Sequence, residues 1–150
     1  MSLTVLKDVF ISMGELDRYF EGVVPVNLWR GLNKKRNSAL FDLIEKSYKM
    51  SNGRVRKSDL CIEDNWVRVD RWPRGISTFD KPGVPKGRDW VHYKIPEGTQ
   101  LPNGLAIVRD SYNETFLATH YTIAPAHDMP ISEFRSLLKQ FAKEIERIAI

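Results

Sequence analysis

Leu6, Val9, Phe10, Met13, Leu16 and Phe20 recur at spacings of three and four, which predicts one or two short helices within the first twenty residues despite Gly14. Residues 24–32 are rich in Val and Trp, with Pro25 confining that part to an edge or strand start, and a strand is read near 26–32. Ser38 precedes Ala39, Leu40, Phe41, Leu43, Ile44 and Tyr48, so an N-capped helix is expected from 38 to about Lys49, with Ser51-Asn-Gly53 as its stop. Residues 66–70 read as a short strand, and 80–90, with two prolines and two glycines, as a loop long enough for a lid or binding role. Strands follow at 90–95 and 106–109, separated by a turn-rich stretch over 96–104. A closing helix is marked by Phe134, Leu137, Leu138, Phe141, Ile145 and Ile148 at helical spacing, with Lys and Arg gathered toward its end.

The segment between the last two elements carries the candidate chemistry. Residues 116–123 alternate with period two, sending Phe116, Ala118, His120 and Thr122 one way and Leu117, Thr119, Tyr121 and Ile123 the other. Neither face is cleanly apolar. Such a strand either buries a satisfied polar ladder or lines a site. His120 by itself fits a core histidine as well as a ligand contact.

Composition bounds the answer without choosing it. A chain of 150 residues fits one domain, spanning 1–150, and 42% hydrophobic with 28% charged residues is ordinary for a soluble protein. The first residues lack the basic start, apolar centre and cleavage site of a secretory signal, so a separate machine is expected to carry out any export. The single Cys61 rules out an internal disulfide and suits a reducing compartment. The net charge of +4 is uneven: residues 30–94 hold 16 Lys and Arg against 8 Asp and Glu. That centre would attract nucleic acid, a phosphate-rich small molecule or an acidic protein. Neither a dinucleotide-binding glycine fingerprint nor a P-loop is present, and His92, His120 and His127 lack the spacing of a zinc protease, so no metal is expected. Asn113-Glu-Thr115 is a glycosylation sequon in form only.

Three ordered segments add a resemblance: Gly75-Ile-Ser-Thr-Phe-Asp-Lys-Pro-Gly-Val84, Ile95-Pro-Glu-Gly-Thr99, and the run from Asp110-Ser-Tyr-Asn113 through Ala118-Thr-His-Tyr-Thr-Ile123. They are similar to the corresponding stretches of the type VI secretion exported toxin two family. The strand around Trp29-Arg30-Gly31 resembles that family's opening strand more loosely. The resemblance implies an α+β fold of the ADP-ribosyltransferase type, a split or strongly bent, mainly antiparallel sheet with flanking helices. It also implies an antibacterial toxin that consumes NAD as a substrate to modify a cytosolic target macromolecule. A cognate immunity protein and a carrier of the secretion apparatus are the implied partners, with delivery into the recipient cytoplasm and no membrane association.

Chemistry of this kind uses a guanidinium for the pyrophosphate, a small hydroxyl for the ribose, an aromatic ring for nicotinamide and a carboxylate for the developing sugar cation. The resemblance places Arg30 in the first role, and Gly75, Ser77 and Thr78 at the ribose. Ile76 stands where the family has a threonine. Tyr112 is the candidate ring, Asp110 and Glu114 are the candidate carboxylates, and His120 a donor within the catalytic group. Two other readings remain open. One is a nucleic-acid-directed toxin, either an RNase using His120 with a carboxylate or an RNA-modifying transferase, with Trp66, Trp72, Trp90 and Tyr93 as a stacking surface. The other is a non-catalytic inhibitory binding domain.

Overall fold

The structure, a computed structural model, describes residues 3–35, 39–43, 45 and 47–148. The chain forms a short helix α1 (Leu6–Ser12), a 3-10 turn at Leu16–Arg18, and then β1 (Tyr19–Phe20), β2 (Leu28–Asn33), β3 (Tyr48–Lys49), β4 (Val55–Arg56), β5 (Ile62–Glu63) and β6 (Trp66–Val67). It continues through β7 (Ile76–Phe79), β8 (Trp90–Ile95), β9 (Leu105–Asn113), β10 (Ala118–Pro125) and β11 (Met129–Pro130) into α2 (Ile131–Ile148). The architecture is α+β, built on a six-stranded sheet in the order β1-β9-β10-β7-β2-β8 with every pairing antiparallel. The expected split is visible. β2 meets β7 through the single ladder pair Trp29–Phe79, whereas β2 and β8 pair over six residues. Among the described residues no helix is long and apolar enough to cross a membrane.

Period-two alternation assigns the two faces of this sheet. Ile76, Ile107, Tyr121 and Ile123 join Leu28, Ile95 and the α2 residues Phe134, Leu138 and Phe141 in the larger core. Ala106, Val108 and Ala124 point the other way and pack with Tyr19 beneath Leu6 and Phe10 of α1. Because α1 is only seven residues long, it covers one end of its face and leaves the other end open. The buried carboxylate of Asp128 ties the edges of the fold together, accepting hydrogen bonds from Thr4 N (3.1 Å) and Val69 N (2.8 Å). The second of these ends the predicted 66–70 strand after Val67, since the Val69 N–H goes to a side chain.

The helix expected from 38 to 49 does not form where the chain is described. Residues 39–43 are turn and coil, and Tyr48–Lys49 pairs with Val55–Arg56 in a hairpin. Asn52 and Gly53 close it: Gly53 adopts φ +85°, and Asn52 Oδ1 accepts from Arg54 N at 3.0 Å. The same residues suit a helix stop and a hairpin turn. Phe41 buries itself without a helix by stacking on Phe141, with ring centroids 5.3 Å apart. Ser38 and Ile44 lie outside the described residues.

Gly75 sets the approach of β7 to β10. A Cβ added there would lie 1.9 Å from the carbonyl oxygen of Ile123 and 2.9 Å from its carbon, both backbone atoms. Gly75→Ala is therefore expected to lower stability by about 3 kcal/mol through overpacking against a rigid neighbour, read from the denaturant midpoint. An unchanged midpoint would mean that the strands separate at no cost.

Candidate functional site

On the open end of the α1 face, three adjacent strands align a row of polar side chains. Ser77 on β7 is opposite Thr122 on β10, so Ser77, His120 and Thr122 share that face. The β9–β10 ladder pairs Thr122 with Val108 but Thr119 with Tyr112, and the register shift between them leaves Asp110 and Ser111 together opposite His120. Asp110 is in phase with Val108 and so joins the row by alternation, and the bulge alters the faces of β9 only beyond it. Asp110 Oδ2 lies 2.7 Å from His120 Nδ1, and His120 Nε2 lies 2.5 Å from Ser77 Oγ.

The roles follow from donor chemistry. An ionised carboxylate only accepts, so in the neutral ring Nδ1 carries the proton and Nε2 accepts from the Ser77 hydroxyl. Thr122 Oγ1 also donates to Asp110 Oδ2. Arg18 Nη2 stands 4.0 Å from the other carboxylate oxygen, with Arg18 itself held by Arg109 O (2.8 Å) and Glu15 (2.7 Å). Phe79 meets the imidazole edge-on at 5.1 Å and limits its rotation. Ser77 is exposed while His120 and Asp110 are about one quarter exposed, so the row ends in a hydroxyl that solvent reaches.

A cleft of about 480 Å³ adjoins Asp110, lined by Met13, Arg18, Arg71, Trp72 and Pro73 among others. Its volume falls within the range of small-molecule sites. Trp72 is 71% exposed, and the Arg71 guanidinium lies 5.5 Å from its ring centroid. A smaller cavity of about 190 Å³ beneath α2, lined mainly by residues 39–43 with Leu138 and Ala142, shares no residue with the row.

The remaining predicted residues stand elsewhere. Thr78 is fully buried on the α2 face, where its hydroxyl donates to Tyr121 O at 2.9 Å and so cannot reach a sugar on the open face. The close approach that Gly75 permits is to the backbone of β10. Tyr112 shares the face of Thr119, because the bulge reverses the alternation beyond Ser111. Glu114 occupies the exposed β9–β10 turn, outside the row. Arg30 alternates with Trp29, the partner of Phe79, and therefore lies on the α2 face, donating to Leu40 O (3.2 Å) and Ser77 O (3.0 Å). Burial lowers its pKa, against the favourable fields of Asp59 and Asp42. Thr122, Arg18 and Arg71 were not singled out by sequence, whereas Trp72 was named there in a stacking surface for nucleic acid. The signal for Trp72 was an aromatic residue among basic ones in a Pro- and Gly-containing stretch with no periodic pattern to bury it. Arg18 had none, since periodicity in the first twenty residues reports packing alone.

Residues 7–149 match the profile of a family described as Tse2 ADP-ribosyltransferase toxin. The chain is also 40% identical over 73 residues to Toxin Tse2 of Pseudomonas aeruginosa, a match covering 49% of this chain and 46% of that protein. The aligned region thus spans about half the length of the curated relative.

The two carbonyls held by Arg30 give a test of its part in the fold. Arg30→Ala is expected to cost about 1–3 kcal/mol, since two charge-assisted hydrogen bonds are lost, and Arg30→Lys should recover only part of this because an ammonium lacks the planar fork. Urea denaturation of the three proteins measures it, with equal midpoints as the opposing result.

Proposed function

Because the chain belongs to the family of Tse2 ADP-ribosyltransferase toxins, we propose that it is an antibacterial toxin that breaks the bond between nicotinamide and ribose in NAD and passes ADP-ribose to a macromolecule of the recipient cell. The observation that carries this reading is the hydrogen-bonded row Ser77–His120–Asp110, open to solvent at Ser77 and bordered by a cleft of ligand size. The bond to nicotinamide breaks with positive charge developing on the sugar, so a nearby carboxylate and a hydroxyl within reach of a base are the groups the chemistry needs. Asp110 and His120 supply the first and the base, Ser77 the hydroxyl. Arg71 offers charge for the pyrophosphate, and Trp72 an open face on which an aromatic base can stack.

We extend the proposal to the setting that the family implies: delivery by a type VI secretion apparatus through a carrier protein, and neutralisation in the producing cell by an immunity protein. The excess of Lys and Arg between residues 30 and 94 suits an acidic immunity partner.

Trp72→Ala is expected to weaken NAD affinity roughly 5- to 150-fold, the scale of one base–aromatic stack, without changing the thermal midpoint. Titration calorimetry with NAD reads the affinity. Wild-type affinity in the variant would place the nucleotide outside this cleft. Nicotinamide release from NAD by the wild-type protein tests the reaction itself, and a folded protein that releases none while shortening RNA would replace this reading with a nuclease.

A further inference from the structure

We infer that the β3–β4 hairpin is a docking surface for unpaired RNA. Residues 47–58 hold four cations, Lys49, Arg54, Arg56 and Lys57, and no carboxylate. Neither strand of the hairpin has a buried residue, and Tyr48 and Val55 are 43% and 63% exposed. The ribbon is nonetheless closed at both ends. Met50 N donates to Arg54 O at 2.7 Å near the tip, and Ser58 N to Ser47 Oγ at 3.2 Å at the base. Arg56 is fastened as well, donating to Lys57 O (2.8 Å) and Asp59 (3.1 Å). Lys49, Arg54 and Lys57 are exposed and make no ion pair among the described residues. Like charges crowded on a ribbon without a core of its own cost stability, and a bound polyanion offsets that cost.

Register decides which polyanion fits. Tyr48 pairs with Arg56 and Lys49 with Val55, so Arg54 shares the face of Tyr48 and Arg56, while Lys49 and Lys57 flank Val55 on the other. Positive charge therefore lies on both faces of the ribbon. A chain of phosphates passing around it meets that distribution, whereas protein interfaces are depleted in Lys. The Tyr48 ring beside two arginines is a platform for one base, and only an unpaired base offers its face. Ser51 and Asn52 at the exposed tip add a hydroxyl and an amide that can meet a 2′-hydroxyl, the group that separates RNA from DNA.

The base of the hairpin is fastened beside the cleft described above. Arg74 Nη2 donates to Ser58 O, and Arg74 follows directly on Arg71, Trp72 and Pro73 of the cleft wall. Arg74 is exposed and continues the positive strip from the hairpin toward that wall. The carboxylates that flank this path are engaged, Asp59 by Arg56 and Asp70 by Trp72 N at 2.8 Å. Docking of this kind needs neither NAD nor the polar row.

The test follows the fluorescence anisotropy of a short labelled single-stranded RNA of mixed sequence, without NAD, over a range of salt. Expected is binding that weakens with salt, with the slope of log affinity against log salt reduced by about 0.7 in each of Lys49→Gln, Arg54→Gln and Lys57→Gln. Tyr48→Ala should weaken binding roughly 5- to 150-fold at an unchanged slope, and Tyr48→Phe should restore it. Thermal midpoints and nicotinamide release from NAD should match wild type in every variant, since these side chains lie outside the row and the cleft. Unlabelled DNA of the same sequence, duplex RNA and polyglutamate should compete poorly. Wild-type affinity and slope in the three charge variants put the RNA elsewhere and overturn the inference, as does a folded protein that binds no RNA. Competition by the DNA or the duplex equal to that of unlabelled RNA overturns the assignment to unpaired RNA. Equal competition by polyglutamate overturns it too, and makes the hairpin a seat for an acidic protein. Hairpin-dependent RNA binding by a protein that releases no nicotinamide supports the docking surface and overturns only the transferase reading.

Discussion

Everything in this molecule depends on β10 being paired along both edges while its side chains alternate between two unlike environments. Ile123 and Tyr121 point into the core beneath α2, and His120 and Thr122, one residue away in each case, point to the open side. A strand bonded on one edge can shift in register. A strand gripped by β7 and β9 cannot shift without moving the core residues to solvent and the polar row into the core. The energy that holds His120 in place therefore comes from burying its neighbours: each large apolar side chain on the α2 face contributes on the order of 2 kcal/mol. The exposed row contributes little to stability, and the hydrophobic side of the same strand supplies its rigidity.

This arrangement explains how residues near the row came to look like ligand contacts when read from sequence. Gly75, which the resemblance placed at the ribose, is required for a close approach whose partner is the Ile123 backbone. Arg30 is a fork of donors, and the oxygens it meets are carbonyls of Leu40 and Ser77. Both act on the row at one remove, one by setting the spacing of β7 and β10 and the other by holding the backbone oxygen of Ser77. Sequence shows what a residue is able to do, and only the fold shows what stands opposite it.

Legibility followed the range of the determining interactions. The closing helix, the 90–95 strand and the alternation of 118–123 could be read because each is fixed by periodicity within its own segment. The described residues within 39–49 were misread because an apolar cluster followed by Ser-Asn-Gly satisfies a helix and a hairpin alike, and the partner of Phe41, Phe141, lies a hundred residues away. Asp110 and His120 were each singled out through the resembling segment, and their contact follows from the β9–β10 ladder. The link to Ser77 depends on β7 lying beside β10 across a long crossover, and no local pattern encodes that adjacency.

The bulge at Asp110 and Ser111 makes pairing register, more than residue identity, the sensitive variable at this point of the fold. It is a phase shift between two otherwise regular halves of β9: the half toward Leu105 is in phase with the core, and the half toward Asn113 is out of phase with it. A strand of the same length paired without the bulge would set Ser111 opposite Thr119 and Tyr112 opposite Ala118, and the outer half of the strand would turn over as a unit. Tyr112 would come to the side of the row, while Asp110, in phase with Val108, would stay opposite His120. Two proteins could then agree at nearly every aligned position of this hairpin and still present opposite faces to the same ligand.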